Sequence, residues 1–179
     1  MGVGRNAFSE VFMIPLPTAV SGGFTFTSNC RGFELRQGDQ MVATLNRPRI
    51  WSSEVVAAAA GQNWVIHRSG FWSNKAEIMD AASQQQVAVF KSGWGGKGAL
   101  VFTDGQKFFV VTRGCWYPVW TVTSELGDPV FQLHTREKSV ELHNVGAISE
   151  SRLSLLVLFT LYRVRQAEQA AAVAAAAAS

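Results

Sequence analysis

From about Phe24 onward, apolar and polar residues alternate along the chain. In FTFTS, Phe24 and Phe26 fall on one side and Thr25 and Thr27 on the other. In FELRQGDQMVATL, Phe33 and Leu35 oppose Glu34 and Arg36, Gly38 and Asp39 turn the chain, and Met41, Ala43 and Leu45 resume the alternation. DPVFQLHTR sets Phe131 and Leu133 against Gln132 and His134, and SVELH sets Val140 and Leu142 against Glu141 and His143. Successive side chains of a strand point to opposite faces, so a period of two predicts half-buried antiparallel strands.

The segments also share a plan. FELRQGDQMVATLNR, AEIMDAASQQQVAVFK, LVFTDGQKFFVVTR and WTVTSELGDPVFQLHTR each read as strand, polar turn, strand and basic residue. Turns built from Gly, Asp, Ser and Gln make each a β-hairpin, and hairpin after hairpin predicts an all-β meander, sandwich or barrel.

One stretch breaks the period. ESRLSLLVLFTLYRVRQAEQ, residues 150–169, has no Gly or Pro and offers Ser149 or Ser151 as a helix N-cap. Leu153, Val157, Leu161 and Val164 occupy one helical face, while Leu155, Leu158, Phe159 and Tyr162 cover much of the rest. A helix that is apolar on nearly every side is surrounded by protein or by lipid. The unbroken apolar run from Leu153 to Tyr162 lies between Arg152 and the pair Arg163 and Arg165. That is about half of the roughly 20 residues a membrane span needs. Protein therefore surrounds it, and a mostly β chain encloses a single helix by closing its sheet around it. The predicted fold is mainly β, an antiparallel barrel of repeated hairpins enclosing a hydrophobic C-terminal helix, with no transmembrane span. Residues 1–22 are expected to be an N-terminal extension, 23–168 the barrel with its central helix at about 151–168, and 169–179 an exposed, frayed alanine-rich tail.

A hairpin meander closed around a final apolar helix resembles the tubby C-terminal-like superfamily, which includes tubby proteins, phospholipid scramblases and plant LURP-one-related proteins. The likeness is carried by the strand–turn–strand units, especially AEIMDAASQQQVAVFK, and by SLLVLFTLYRVR following VGAISES. It covers roughly residues 24–168 and implies a barrel with its central helix last, together with binding to membrane lipid. The paired basic residues with which tubby proteins hold phosphoinositides have no matching position here. Neither do the cysteine-rich stretch and the calcium-binding acidic segment of scramblases. The small size is closer to the LURP-one-related and stand-alone bacterial members.

Composition narrows the class further. The chain of 179 residues is 47% apolar, with six tryptophans and twelve phenylalanines, which suits one domain with a substantial core. A formal charge of +3 without any Lys/Arg block points away from nucleic acid and permits an acidic surface as partner. Cys30 and Cys115 lack metal or C-x-x-C spacing and are expected to be buried or half-buried thiols in a reducing compartment. Glu10 and two prolines interrupt the apolar N-terminal stretch, and Asn6 breaks the myristoylation pattern, so a cytoplasmic protein, peripheral to membranes at most, is expected.

Candidate chemistry is sparse. Gly93, Gly95 and Gly98 match G-x-G-x-x-G around Lys97, a written form of a phosphate loop. A dinucleotide-binding loop opens a helix, and here strand-like QQVAVFK precedes and GALVFTDGQKFFVV follows. The protein-kinase loop does lie between strands, but no later H-R-D or D-F-G is present and the chain is too short for that fold, which leaves a hairpin connection. His67, His134 and His143 have no metal spacing, and Asp39, Asp80, Asp104 and Asp128 all fall at turns. No G-x-S-x-G is present, and the aromatics of RGCWYPVW around Cys115 point to packing, so neither catalysis nor a cofactor is expected.

What remains is surface. Arg47, Arg49, Lys91 and Lys97, with Trp94, mix cations and indole at loop tips, as a binder of anionic phospholipid (phosphoinositide) surfaces does. In the competing account the tryptophans are barrel core and the cations its solvated rim. The functional alternative is a protein-interaction or structural module, with a protein partner or homo-oligomer engaging exposed strand edges or the alanine tail.

Overall fold

The structure, a computed structural model, describes residues 23–48, 54–69, 75–93 and 97–178. In chain order these form β1 (Phe24–Asn29), β2 (Gly32–Gln37), β3 (Gln40–Asn46), β4 (Glu54–Ala59), β5 (Gln62–Ser69) and β6 (Lys75–Asp80). There follow β7 (Gln86–Ser92), β8 (Lys97–Phe102), β9 (Lys107–Arg113), β10 (Val119–Ser124), β11 (Pro129–His134), β12 (Ser139–Leu142) and the helix α1 (Glu150–Ala177). Each strand pairs antiparallel with the next, and β1 closes on β12 through Phe24↔Val140 and Thr25↔Ser139. The expected barrel around a C-terminal helix is the fold found. Closure leaves none of these strands with an unpaired edge, which removes the edge-pairing route to a protein partner.

Strand number explains how the helix fits. Eight-stranded barrels are filled by their own side chains, while those of 16–18 strands leave a channel. Twelve strands leave room for a helix of roughly 10–12 Å diameter with its side chains. Alternation then fills the gap: Phe33 and Leu35, Trp64 and Ile66, Leu100 and Phe102 all point inward and are buried. The helix runs nearest to β3 and β4, where the inward residues Ala43, Ala57 and Ala59 are small. The wall across the barrel carries Phe108, Val110, Trp120 and Val122 and reaches further in.

Every residue of α1 from Leu153 to Tyr162 is buried. Ser154 and Thr160 are no exception, because their hydroxyls donate to the carbonyls of Glu150 (2.9 Å) and Leu156 (2.8 Å) within the helix. Each large apolar side chain enclosed here contributes about 1.5–3 kcal/mol. Beyond Val164 the helix leaves the barrel and continues, exposed from Ala167, to Ala177, so the alanine tail extends the helix. Ser149 is the N-cap residue by position but makes no side-chain cap bond, and Ser151 instead bonds Gln62.

The hairpins share a device that alternation hides. Register slips between Leu35 and Arg36 in β2–β3, between Ile78 and Met79 in β6–β7, and between Val122 and Thr123 in β10–β11. In each case a valine is the extra residue, Val42, Val87 or Val130, packed on the core. Such a bulge bends and twists its strand, which closing a sheet requires. The bulges recur every fourth strand, so three of the four look-alike segments resemble one another for a structural reason. The slip also corrects Met41, which faces partly outward while Val42 is buried in its stead.

Candidate functional site

In an antiparallel meander alternate turns lie at opposite ends, so the barrel has two mouths. The helix starts at the mouth holding the turns after β2, β4, β6, β8 and β10, and leaves through the one holding the connections after β1, β3, β5, β7, β9 and β11. The two are charged differently.

Every aspartate of the chain lies at the entrance mouth, and short turns explain why. Asp80 Oδ1 accepts from the amides of Ala82 (3.1 Å) and Ser83 (2.7 Å) and from the Ser83 hydroxyl (2.8 Å), an Asx turn. Asp104 accepts from the Gln106 amide (3.1 Å) and from Arg152 Nη2 (2.7 Å), which ties the first helical turn to the β8–β9 loop. Hydrogen bonds from Ser83 hold the Asp80 carboxyl below its ordinary 3.8, and those from Gln106 and Arg152 do the same for Asp104. Lys107 pairs with Glu125 at 3.1 Å. The carboxylates of Asp80, Asp104 and Glu125 are thus engaged in local structure.

The exit mouth pairs His67 with Glu54, Lys75 with Glu77 and Arg165 with Glu168, and leaves further cations without a carboxylate. Of the positions singled out in the sequence, Arg47 follows β3, Lys91 lies near the end of β7 and Lys97 opens β8, all at this mouth. Arg49 and Trp94 lie outside the described residues. Arg31, Arg68, Arg113, Arg136 and Lys138 from the other connections stand at this mouth too. Among the described residues, Arg47, Lys91, Lys97 and Arg113 have no carboxylate partner.

The β9–β10 connection overturns one expectation. Trp116 is 91% exposed and Tyr117 61% exposed, with the Arg136 guanidinium 5.1 Å from the Tyr117 ring centroid. Packing claims only Trp120 of RGCWYPVW, because Trp120 is inside β10 while Cys115, Trp116 and Tyr117 lie beyond the strand ends. Cys115 is exposed, and so is Cys30 in the β1–β2 turn, which corrects the expectation of buried thiols. Trp64 and Trp120 are core, so the chain uses its tryptophans both ways.

At the centre of this mouth the last enclosed turn of α1 meets the inner row of β5 to β8. Register places Arg68 opposite Ala76 and Ala76 opposite Phe90, and the small Ala76 leaves a cleft. Arg163 lays its guanidinium 4.7 Å from the Phe90 ring centroid. Its Nη1 donates to Gln166 Oε1 (2.9 Å), and Gln166 Nε2 donates to the Tyr162 hydroxyl (2.5 Å). Burial raises the Tyr162 pKa although Arg68, Arg163 and Arg47 oppose this; burial also lowers that of Arg163, with Arg68 adding to the effect. A second cleft on the other side of Tyr162 is lined by Arg31, Arg47 and Arg165.

The glycine loop resolves as a hairpin. The Gly93 amide donates to the Lys97 carbonyl (2.7 Å), with strands on both sides. Gly98 is required for packing, because a Cβ there would sit 2.1 Å from the Phe90 ring. His67 faces Glu54 at 3.6 Å and His134 faces Glu141 at 3.7 Å, while His143 lies beyond the far end of the β11–β12 hairpin. Among the described residues no cluster of His, Cys, Asp or Glu is arranged to hold a metal, and no helix is long and apolar enough to cross a membrane. Compared with known proteins, the chain matches no family model, no curated protein and no solved structure.

Proposed function

We propose that this chain is a non-catalytic binding protein of the tubby-like kind, whose exit mouth docks on anionic phospholipid surfaces, phosphoinositides included. One observation carries the reading: Trp116, 91% exposed, stands on the mouth where cations are left unpaired. An indole suits the headgroup layer, and each Lys or Arg near an anionic leaflet contributes about 1 kcal/mol. The barrel closed around its last helix is the architecture that the resemblance implies, and it supports the same reading. Because the helix projects from this mouth, contact falls on the rim beside it, where Arg113, Trp116, Tyr117 and Arg136 stand together.

Co-sedimentation with vesicles at physiological salt tests this. Retention by phosphoinositide-containing but not by neutral vesicles, reduced in Trp116→Ala, is the expected outcome. Equal retention by both vesicle types would sink the idea.

The projecting helix favours a second reading, a protein contact, since it is exposed from Ala167 to Ala177 and carries Val173 at 70% exposure. Light scattering on the full chain and on one ending at Glu168 decides whether it mediates self-association. Monomers in both would exclude a homo-oligomer built on this helix.

A further inference from the structure

The cleft between Arg68, Lys75, Phe90, Tyr162, Arg163 and Gln166 is a place with too many hydrogen-bond donors. Arg163 Nε is buried and has no partner, although a guanidinium can donate five hydrogen bonds. The Tyr162 hydroxyl already accepts from Gln166, so its own proton is directed elsewhere, and it donates to none of the described residues. Arg68, at the end of the inward row of β5, has no carboxylate partner among the described residues. Among the described side chains, the acceptors set against these donors are already engaged: the Tyr162 oxygen accepts from Gln166, Gln166 Oε1 from Arg163, and Glu77 Oε1, on the outer face of β6, from Lys75 Nζ at 2.6 Å.

A half-buried guanidinium with a like charge beside it and an unused N–H is unfavourable until an anion arrives. The ligand that completes such a cluster accepts hydrogen bonds in several directions, donates few and carries more than one negative charge. A phosphate group meets all three requirements, and Arg matches its oxygens with a planar fork. Size sets a limit: the cleft offers about 30 Å³ of space, room for a group of a few atoms such as one phosphoryl and far too little for a nucleoside.

We propose that this cleft at the helix exit is a binding site for a single phosphate group, either free or as the terminal phosphomonoester of a larger molecule. Phe90 holds Arg163 in place, Gln166 orients Arg163 and Tyr162 together, and Arg68 closes the rim. The site stands independently of membrane docking, which uses the β9–β10 and β11–β12 rim.

The test uses the full chain with inorganic phosphate, read as thermal stability at constant ionic strength against chloride. Phosphate should raise Tm in wild type and in Lys107→Gln, whose cation lies at the other mouth. In Arg68→Gln the concentration giving half the effect should rise by about tenfold or more. Arg163→Gln should abolish the response; should that variant fail to fold, exposed Arg68 still decides. In parallel, vesicles of phosphatidic acid are compared with phosphatidylglycerol vesicles of matched charge. A phosphate response without vesicle binding supports the cleft and overturns membrane docking. Selectivity for phosphatidic acid that Arg68→Gln removes, with no response to free phosphate, assigns the site to a lipid-borne phosphomonoester. Equal response of wild type and Arg68→Gln to phosphate, or no response to phosphate and no phosphatidic acid preference, overturns the proposal.

Discussion

The two mouths of the barrel are built from the same hairpins and do different things with charge. At the entrance, Asp80 is bonded into its own turn, Asp104 holds Arg152 of the helix and Glu125 meets Lys107. At the exit, Arg47, Lys91, Lys97 and Arg113 have no carboxylate partner among the described residues, and Trp116 stands in solvent. Charges paired within the fold serve its local structure and are screened from any partner. Charges left unpaired, with an aromatic side chain among them, cost little in water and become useful when an anionic surface approaches. On the function proposed above, the contrast separates the end that organises the chain from the end offered to an anionic surface.

The largest effect should come from breaking the element that joins the two mouths. Leu156→Asp or Phe159→Asp places an unpaired carboxylate among side chains that are at most 1% exposed, at a cost of about 3–5 kcal/mol. Loss of the cooperative thermal transition checks this, and a folded, soluble variant would mean that the helix tolerates water. Next comes Gly98→Ala, which disturbs the exit alone: displacing the Phe90 ring should cost about 1–3 kcal/mol by overpacking, measurable by urea unfolding. The Asp104 titration at the far mouth should not change.

A smaller effect concerns binding without stability. Replacing Arg113 and Arg136 by Gln should lower the partition onto anionic vesicles by about 1 kcal/mol per residue, roughly fivefold each, while Lys107→Gln leaves it unchanged. An equal loss from both mouths would show that only net charge matters. The smallest effect belongs to the entrance carboxyls. Their folded pKa values lie below the unfolded ones, so their stabilisation is present above pH 3.8 and is lost as pH falls through the lowered values. In Arg152→Gln the Asp104 pKa should move up toward 3.8 while Asp80, held by Ser83, stays low, as carboxyl NMR titration would detect.

Much of the barrel was legible as alternation, and its failures have a common cause. EVVAAAAGQNWVI went unread as β4 and β5 because alanine marks neither face: Ala57 and Ala59 are buried and Ala58 is not, with identical side chains. The bulge valines were hidden for a related reason, since one extra residue resets the period without changing composition. The helix was readable because ten consecutive enclosed residues leave a mark that no strand makes. At the candidate site, Arg47, Lys91 and Lys97 were picked out and share a mouth, yet Trp116 was assigned to packing. Its neighbours in sequence are aromatic, but the end of β9 at Arg113 is what puts it in water.

Period, turn chemistry and apolar length are local properties, and they were enough to specify strands, hairpins and an enclosed helix. Which side chains share a mouth follows from the parity of turns, and that requires every strand to be placed. The cleft is further removed still. Arg68, Phe90 and Arg163 meet only because twelve strands close and a helix threads them to a set depth. Closure brings together residues nearly a hundred positions apart, and no local pattern encodes that distance.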